Sequence, residues 1–148
     1  MTRIHVTASR SYDVLIEPGL LDRAGPELRA VLPGARTAAI AADETVSALY
    51  GERLAASLEA AGFRTVSFAF PAGEGSKNLT TYAALLDFLG RNGLSRSDVL
   101  VALGGGVAGD LAGFAAATYQ RGMAFCQVPT SLLAAVDSSV GGKTGIDL

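Results

Sequence analysis

Histidine and cysteine are almost missing from this sequence: His5 and Cys126 are the only ones in 148 residues. A single cysteine excludes an internal disulfide and suits a reducing compartment. No trio of His, Cys and carboxylate has metal-ligand spacing. His5 sits in an N-terminal strand-like run and makes a poor ligand. Cys126 lies in an apolar run and reads as a core residue. Positive charge is not in excess, since the formal net charge is -2. Nucleic acid and anionic membrane are therefore poor partners. No apolar run approaches the roughly 20 residues of a membrane span. Met1 to Val6 alternates polar and apolar residues and lacks the long apolar run of a signal peptide. These absences lead us to expect a soluble, cytoplasmic chain. Charged residues make up only 18% against 49% hydrophobic, so the chain is globular and long enough to bury the core of one domain.

What is present in excess is glycine: 18 residues, ten of them beyond position 90. Such clustering marks tight turns or close approach of backbone to something else. Short β-like runs at Ile4–Ala8 and Tyr12–Ile16 flank Ser9-Arg10-Ser11 and predict a hairpin. Leu20–Val31 predicts a helix closed by Pro33-Gly34. Thr37–Ala42 reads as a small apolar strand ending at Asp43. Val46–Ala61 reads as a helix or a broken pair stopped by Gly62. Thr65–Phe70 alternates as a strand, and Pro71–Gly75 is a loop. Tyr82, Leu85, Leu86 and Leu89 place an amphipathic helix over Asn78–Leu89. Val99–Leu103 is continuously apolar, as in a parallel strand buried on both faces. Val107–Tyr119 reads as helix, Phe125–Pro129 as strand, Leu132–Val136 as a short helical piece and Gly141–Gly145 as a loop. Strands alternate with helices from residue 37 onward. The expected fold is therefore α/β: a Rossmann-like parallel sheet flanked by helices, preceded by a β-hairpin.

Two glycine loops could carry chemistry. Gly104-Gly105-Gly106-Val107-Ala108-Gly109-Asp110 has the Gly-x-Gly-x-x-Gly spacing, follows a strand and opens a helix. Backbone without Cβ atoms can approach phosphate oxygens, and the free N–H groups and dipole of a helix start favour an anion. The loop departs from the usual dinucleotide arrangement: it is not in the first βα turn, and no acid lies about 20 residues on. Asp43, at the end of an earlier strand, could accept hydrogen bonds from a ribose instead. A pyrophosphate cradle and a mere tight turn both remain open, with the cradle favoured. The second loop, Asp137-Ser138-Ser139-Val140-Gly141-Gly142-Lys143-Thr144, nearly matches a P-loop. It has Asp137 for the first glycine, and Gly145 where a helix should begin, which argues against ATPase or kinase chemistry. Lys143 could contact a phosphate or sugar hydroxyl, or be a solvated loop lysine. Glu74 and Lys77 could touch a cofactor or simply cap a helix. Arg121 could clamp an anion bidentately or be a solvated surface arginine.

Four segments in their order go further: Pro71–Lys77, Leu103–Phe114, Gln127–Ala134 and Val136–Thr144. Together they resemble the N-terminal domain of the sugar-phosphate cyclases, and most of all the 3-dehydroquinate synthases. The resemblance covers essentially the whole chain and is strongest from residue 71. It implies a phosphate-eliminating lyase of the shikimate pathway, serving chorismate and aromatic amino acid biosynthesis. The substrate would be 3-deoxy-D-arabino-heptulosonate 7-phosphate and the products 3-dehydroquinate and phosphate. NAD is implied as a catalytic cofactor, oxidising a ring hydroxyl and later reducing the ketone again. A divalent metal, zinc or cobalt, would polarise that hydroxyl.

The resemblance places cofactor contacts at Asp43, Glu44, Thr45, Glu74, Lys77, Gly105, Gly106, Val107, Gly109, Asp110, Thr130, Ser131 and Lys143. It places catalytic or substrate contacts at Asp137, Lys143 and Arg121, the last across a subunit contact of a homodimer. Ser131 stands where relatives often have threonine, and Ala72 where they often have an acid. The metal ligands of the family, a Glu and two His, belong to a helical C-terminal domain. On this reading residues 1–148 are an NAD-binding domain without that metal-bearing partner, inactive alone. Three other readings stay open. One is a related cyclase of secondary metabolism, such as a deoxyinosose or valiolone synthase. Another is a polyol dehydrogenase like glycerol dehydrogenase, against which the Asp137–Thr144 segment argues. The third is a domain that binds NAD without chemistry.

Overall fold

The computed structural model describes residues 1–148. β1 (Thr2–Val6) pairs antiparallel with β2 (Tyr12–Ile16), with Ile4 opposite Val14 and Val6 opposite Tyr12. The strand begins two residues earlier than the expected Ile4 because Thr2 finds its partner in Ile16. The expected helix Leu20–Val31 divides into a 3-10 turn, Leu20–Arg23, and α1, Ala24–Val31. Pro26 explains the division: it lacks an N–H and is tolerated only in a first turn, so the α-helix starts just before it.

The remaining strands form one parallel sheet in the order β4-β3-β5-β6: β3 (Thr37–Asp43), β4 (Arg64–Phe70), β5 (Val99–Gly104) and β6 (Ala124–Pro129). Between β3 and β4 the chain runs through a single turn α2 (Glu44–Val46), a π-helical stretch Ser47–Gly51 and α3 (Glu52–Ala60). α4 (Leu79–Arg91) joins β4 to β5, and α5 (Gly106–Thr118) joins β5 to β6. Asn78 caps α4 by accepting from the Thr81 N–H at 2.9 Å. The expected helical piece after β6 is there, running as a π-helical turn over Ala134–Ser138.

The period of two in the strands sends alternate residues to opposite faces. Ala39, Ala41, Leu100 and Ala102 pack with Leu85, Leu89, Leu111 and Ala115 on the face covered by α4 and α5. Ala38, Ile40, Val99, Val101 and Leu103 pack with Leu28, Leu54 and Leu58 on the face covered by α1 and α3. At the amino edge of the sheet the buried Asp98 carboxylate ties β3 to β5. It accepts from the N–H groups of Arg36 (3.1 Å), Thr37 (2.9 Å) and Ser95 (2.9 Å).

The strand order fixes where a ligand can sit. From β3 the chain moves outward to β4, then returns to the other side of β3 to lay down β5. Two crossovers in opposite directions leave a crevice between the carboxyl ends of β3 and β5, which end at Asp43 and Gly104. In doubly wound sheets ligands bind at this switch point. The glycine loop is absent from the first βα turn, yet it stands at the crevice.

Candidate functional site

The loop after β5 has the geometry of an anion cradle. Gly105 is the N-cap of α5 and no side chain caps the helix, so its first N–H groups are left for a ligand. The three spaced glycines have separate reasons. A Cβ on Gly104, whose φ is +155°, would lie 2.8 Å from the Ala108 Cβ. A Cβ on Gly109 would lie 2.6 Å from the Gln127 Oε1, so Gly109 lets α5 press against β6. Gly106 is different: the nearest atom to an added Cβ is the Ser138 Oγ at 3.5 Å, an ordinary contact. The protein does not require glycine there, whereas a ligand approaching the backbone would.

Around this loop the sheet's carboxyl edge collects most of the residues expected from sequence. Asp43 closes β3, and its Oδ1 accepts from the Val46 N–H at 2.8 Å, which caps the turn carrying the exposed Glu44 and Thr45. From the loop after β4, Lys77 reaches across: its Nζ lies 2.7 Å from the Glu74 Oε1 and 3.3 Å from the Asp110 Oδ2. Lys77 keeps only 17% of its side-chain exposure. The hydrogen bond it donates to Glu74 holds its ammonium above the ordinary lysine range, and the one to Asp110 adds to this against the cost of burial. Neither Glu74 nor Lys77 caps α4, because Asn78 does. Val107 lies in the first turn of α5.

Thr130 and Ser131 follow β6 on the other flank. The Thr130 N–H donates to the Gly104 carbonyl at 2.9 Å, and the Ser131 Oγ accepts from the Ala134 N–H at 3.2 Å. The second glycine loop is adjacent. Asp137 and Lys143 form an ion pair with each other, both about 60% exposed. That loop is held by the hairpin, since the Gly141 N–H donates to the Tyr12 hydroxyl at 2.9 Å. The Gln127 amide donates to the Ser139 carbonyl at 3.4 Å. Sequence reasoning singled out neither Tyr12 nor Gln127. Tyr12 is 129 residues from its partner, and no spacing rule spans that distance.

Arg121 lies apart. It follows the C-terminus of α5, and 13 helical residues separate the two ends of that helix by about 20 Å. It is therefore at the amino edge of the sheet, away from the glycine loops, and with Gln120 it adopts positive φ (63° and 52°). His5 pairs with Asp13 on the hairpin at 2.8 Å. No three His, Cys, Asp or Glu side chains come together as a metal site. Two clefts, of about 440 Å³ beside the π-helical stretch Ser47–Gly51 and Glu44, and of about 500 Å³ at the amino edge beside Asp98, lie off the glycine loops.

Fold and loop define the class: a doubly wound α/β domain with a glycine-rich anion cradle at its switch point. Comparison with known proteins narrows it. Residues 67–148 match the family described as 3-dehydroquinate synthase N-terminal, and the chain belongs to that family. It is 55% identical over 139 residues to the 3-dehydroquinate synthase of Enterococcus faecalis, covering 94% of this chain and 38% of that protein. It is 55% identical over 138 residues to the one from Caulobacter vibrioides, covering 93% and 37%. The chain thus spans well under half the length of these curated relatives. Among solved structures, a 2-deoxy-scyllo-inosose synthase complexed with carbaglucose-6-phosphate, NAD+ and Co2+ superposes with a TM-score of 0.89 at 26% identity, covering 99% of this chain and 40% of that one. A 2-epi-5-epi-valiolone synthase from Streptomyces hygroscopicus, with NAD+ and Zn2+ bound, gives 0.81 at 35% identity, covering 99% and 40%. A glycerol dehydrogenase from Schizosaccharomyces pombe, at 17% identity, shares the fold alone.

Proposed function

We propose that this chain is the NAD-binding part of a 3-dehydroquinate synthase. The complete enzyme would convert 3-deoxy-D-arabino-heptulosonate 7-phosphate to 3-dehydroquinate and phosphate. The observation that carries the reading is the uncapped α5 N-terminus behind Gly104-Gly105-Gly106, set at the switch point of the sheet. The family match and the NAD+ bound in two structural relatives support it.

Each side chain then has a task its geometry suits. The first N–H groups of α5 receive the pyrophosphate. Asp43, using only Oδ1 as a cap, offers its second oxygen to ribose hydroxyls, with Glu44 and Thr45 beside it. Lys77, fixed between Glu74 and Asp110, presents positive charge at the cradle's rim. Thr130 and Ser131 line the opposite flank, and Asp137 with Lys143 faces the substrate. When bound, NAD supplies a reversible hydride sink for one ring hydroxyl. The residues of this chain do not fit a catalytic metal.

Calorimetric titration tests the reading: NAD binds and ATP does not. Gly106→Val abolishes NAD binding and leaves the unfolding temperature in place, because only the ligand needs that space. Tighter binding of ATP than NAD, or unchanged NAD affinity in the variant, overturns the assignment. A second reading, a cyclase of secondary metabolism, draws on the TM-score of 0.89 to the inosose synthase. The higher identity to 3-dehydroquinate synthases favours the first. Assay of the full gene product with both classes of sugar phosphate separates them.

A further inference from the structure

The last residues of the chain do more than trail from the second glycine loop. The Gly145 N–H donates to the Asp110 carbonyl at 3.2 Å, and the Asp147 N–H donates to the Lys77 carbonyl at 2.9 Å. Asn78 and Asp147 form a parallel bridge. Ile146 packs against the core beneath α4 and α5. Thr144 occupies a notch in α5 made by Gly113: a Cβ there would lie 2.1 Å from the Thr144 Cγ2 and 3.1 Å from the Phe125 ring. A helix that gives up a side chain at this position is shaped to receive the segment.

We propose that Thr144–Asp147 is a positioning strap for the dinucleotide site, fastening the backbones of Lys77 and Asp110 so that their side chains meet. The two residues are 33 positions apart, on a loop and a helix, and the contact they make is long at 3.3 Å. Glu74 competes for the same ammonium at 2.7 Å from within the loop. A loop lysine held only by its own loop would follow Glu74. The strap bonds to the main chain of both partners and so sets the distance that Glu74 cannot set. The inference rests on the NAD reading for its purpose, and on main-chain geometry for its existence.

Two readouts separate purpose from existence. The chain has only two lysines, Lys77 and Lys143, so acylation of each is resolved by mass spectrometry. Lys143 is already 59% exposed and has little reactivity to gain. Asp147→Pro deletes the donor to Lys77, and Gly113→Ala closes the notch. Both are expected to accelerate acylation of Lys77 alone and to weaken NAD binding, each about tenfold. Gly113→Ala with Thr144→Gly reopens the notch and restores both values, which general destabilisation would not do. Should Gly113→Ala fail to fold, Asp147→Pro decides by itself, because it removes one N–H on an exposed residue outside the core. Unchanged Lys77 reactivity in Asp147→Pro overturns the strap. Failure of the parent chain to bind NAD overturns the proposed function instead, and the acylation result still decides the strap.

Discussion

Asp98 shows how one side chain can join two elements. Burial alone would raise its carboxyl, but the N–H groups of Ser95, Thr37 and Arg36 and the Ser95 hydroxyl outweigh that and hold it below its ordinary value. A folded-state pKa below the unfolded one contributes stability that is present above the unfolded value of about 3.9 and is lost as pH falls through the folded one. Asp98→Asn keeps one acceptor oxygen for donors that now use two, so it should cost about 2–3 kcal/mol. It should also flatten the acid limb of stability, followed by thermal unfolding from pH 2 to 7. An acid limb equal to the parent's would place the sensitivity elsewhere. Cys126 offers a simpler check. Burial pushes its thiol up to about 11, so alkylation at pH 8 should be about a hundredfold slower in the native than in the unfolded chain. The apolar neighbours of Cys126 pointed to the core, and it does pack against it, but on the edge strand β6 it stays only partly buried. The Asp98 clasp was not legible in the sequence, because its partners lie 61 and 62 residues away.

At the scale of elements, hydrophobic patterning located every strand and major helix, with boundaries shifted by one or two residues at several ends. Pro26 split the first helix, and cross-strand pairing with Ile16 drew β1 back to Thr2. Strand order was beyond that reading. Period identifies a strand but says nothing of its neighbour, so the glycine loop looked misplaced until β5 was seen beside β3. The glycines can be ranked by the same logic. Gly25 lets α1 touch α3, and a Cβ there would lie 1.9 Å from the Ser57 carbonyl oxygen, which is backbone and cannot turn aside. Gly25→Ala should therefore destabilise by about 3 kcal/mol, at the upper end for overpacking. Gly106→Ala should leave the unfolding temperature unchanged or higher, since alanine favours helix, while weakening NAD. Equal loss of stability in the two variants would remove the distinction between a packing glycine and a ligand glycine.

The whole molecule separates its two edges. The carboxyl edge gathers Asp43, Lys77, Asp110, Thr130, Asp137 and Lys143 from segments scattered over a hundred positions; the family motifs hold all but Asp43, which stood out as the end of a strand. The amino edge carries the Asp98 clasp and Arg121. A residue about 20 Å from the cradle along α5 cannot touch a dinucleotide bound there. Arg121 can meet a substrate only by entering a site that this copy of the chain does not form, and it holds a positive φ of 63° that an arginine rarely adopts. Such strain persists where the surroundings or a function require it. Arg121→Gly should thus leave NAD affinity within about twofold of the parent, a change worth less than 0.5 kcal/mol. It should not lower the unfolding temperature, since glycine accepts that backbone without strain. Asp110→Asn, by contrast, removes the carboxylate facing Lys77 and should weaken NAD about tenfold, the effect of one lost charge-assisted hydrogen bond. Titration calorimetry on the three proteins decides the point. Equal loss of affinity in Arg121→Gly and Asp110→Asn would mean that the two edges of the sheet are coupled, and that a single-copy carboxyl-edge site is wrong.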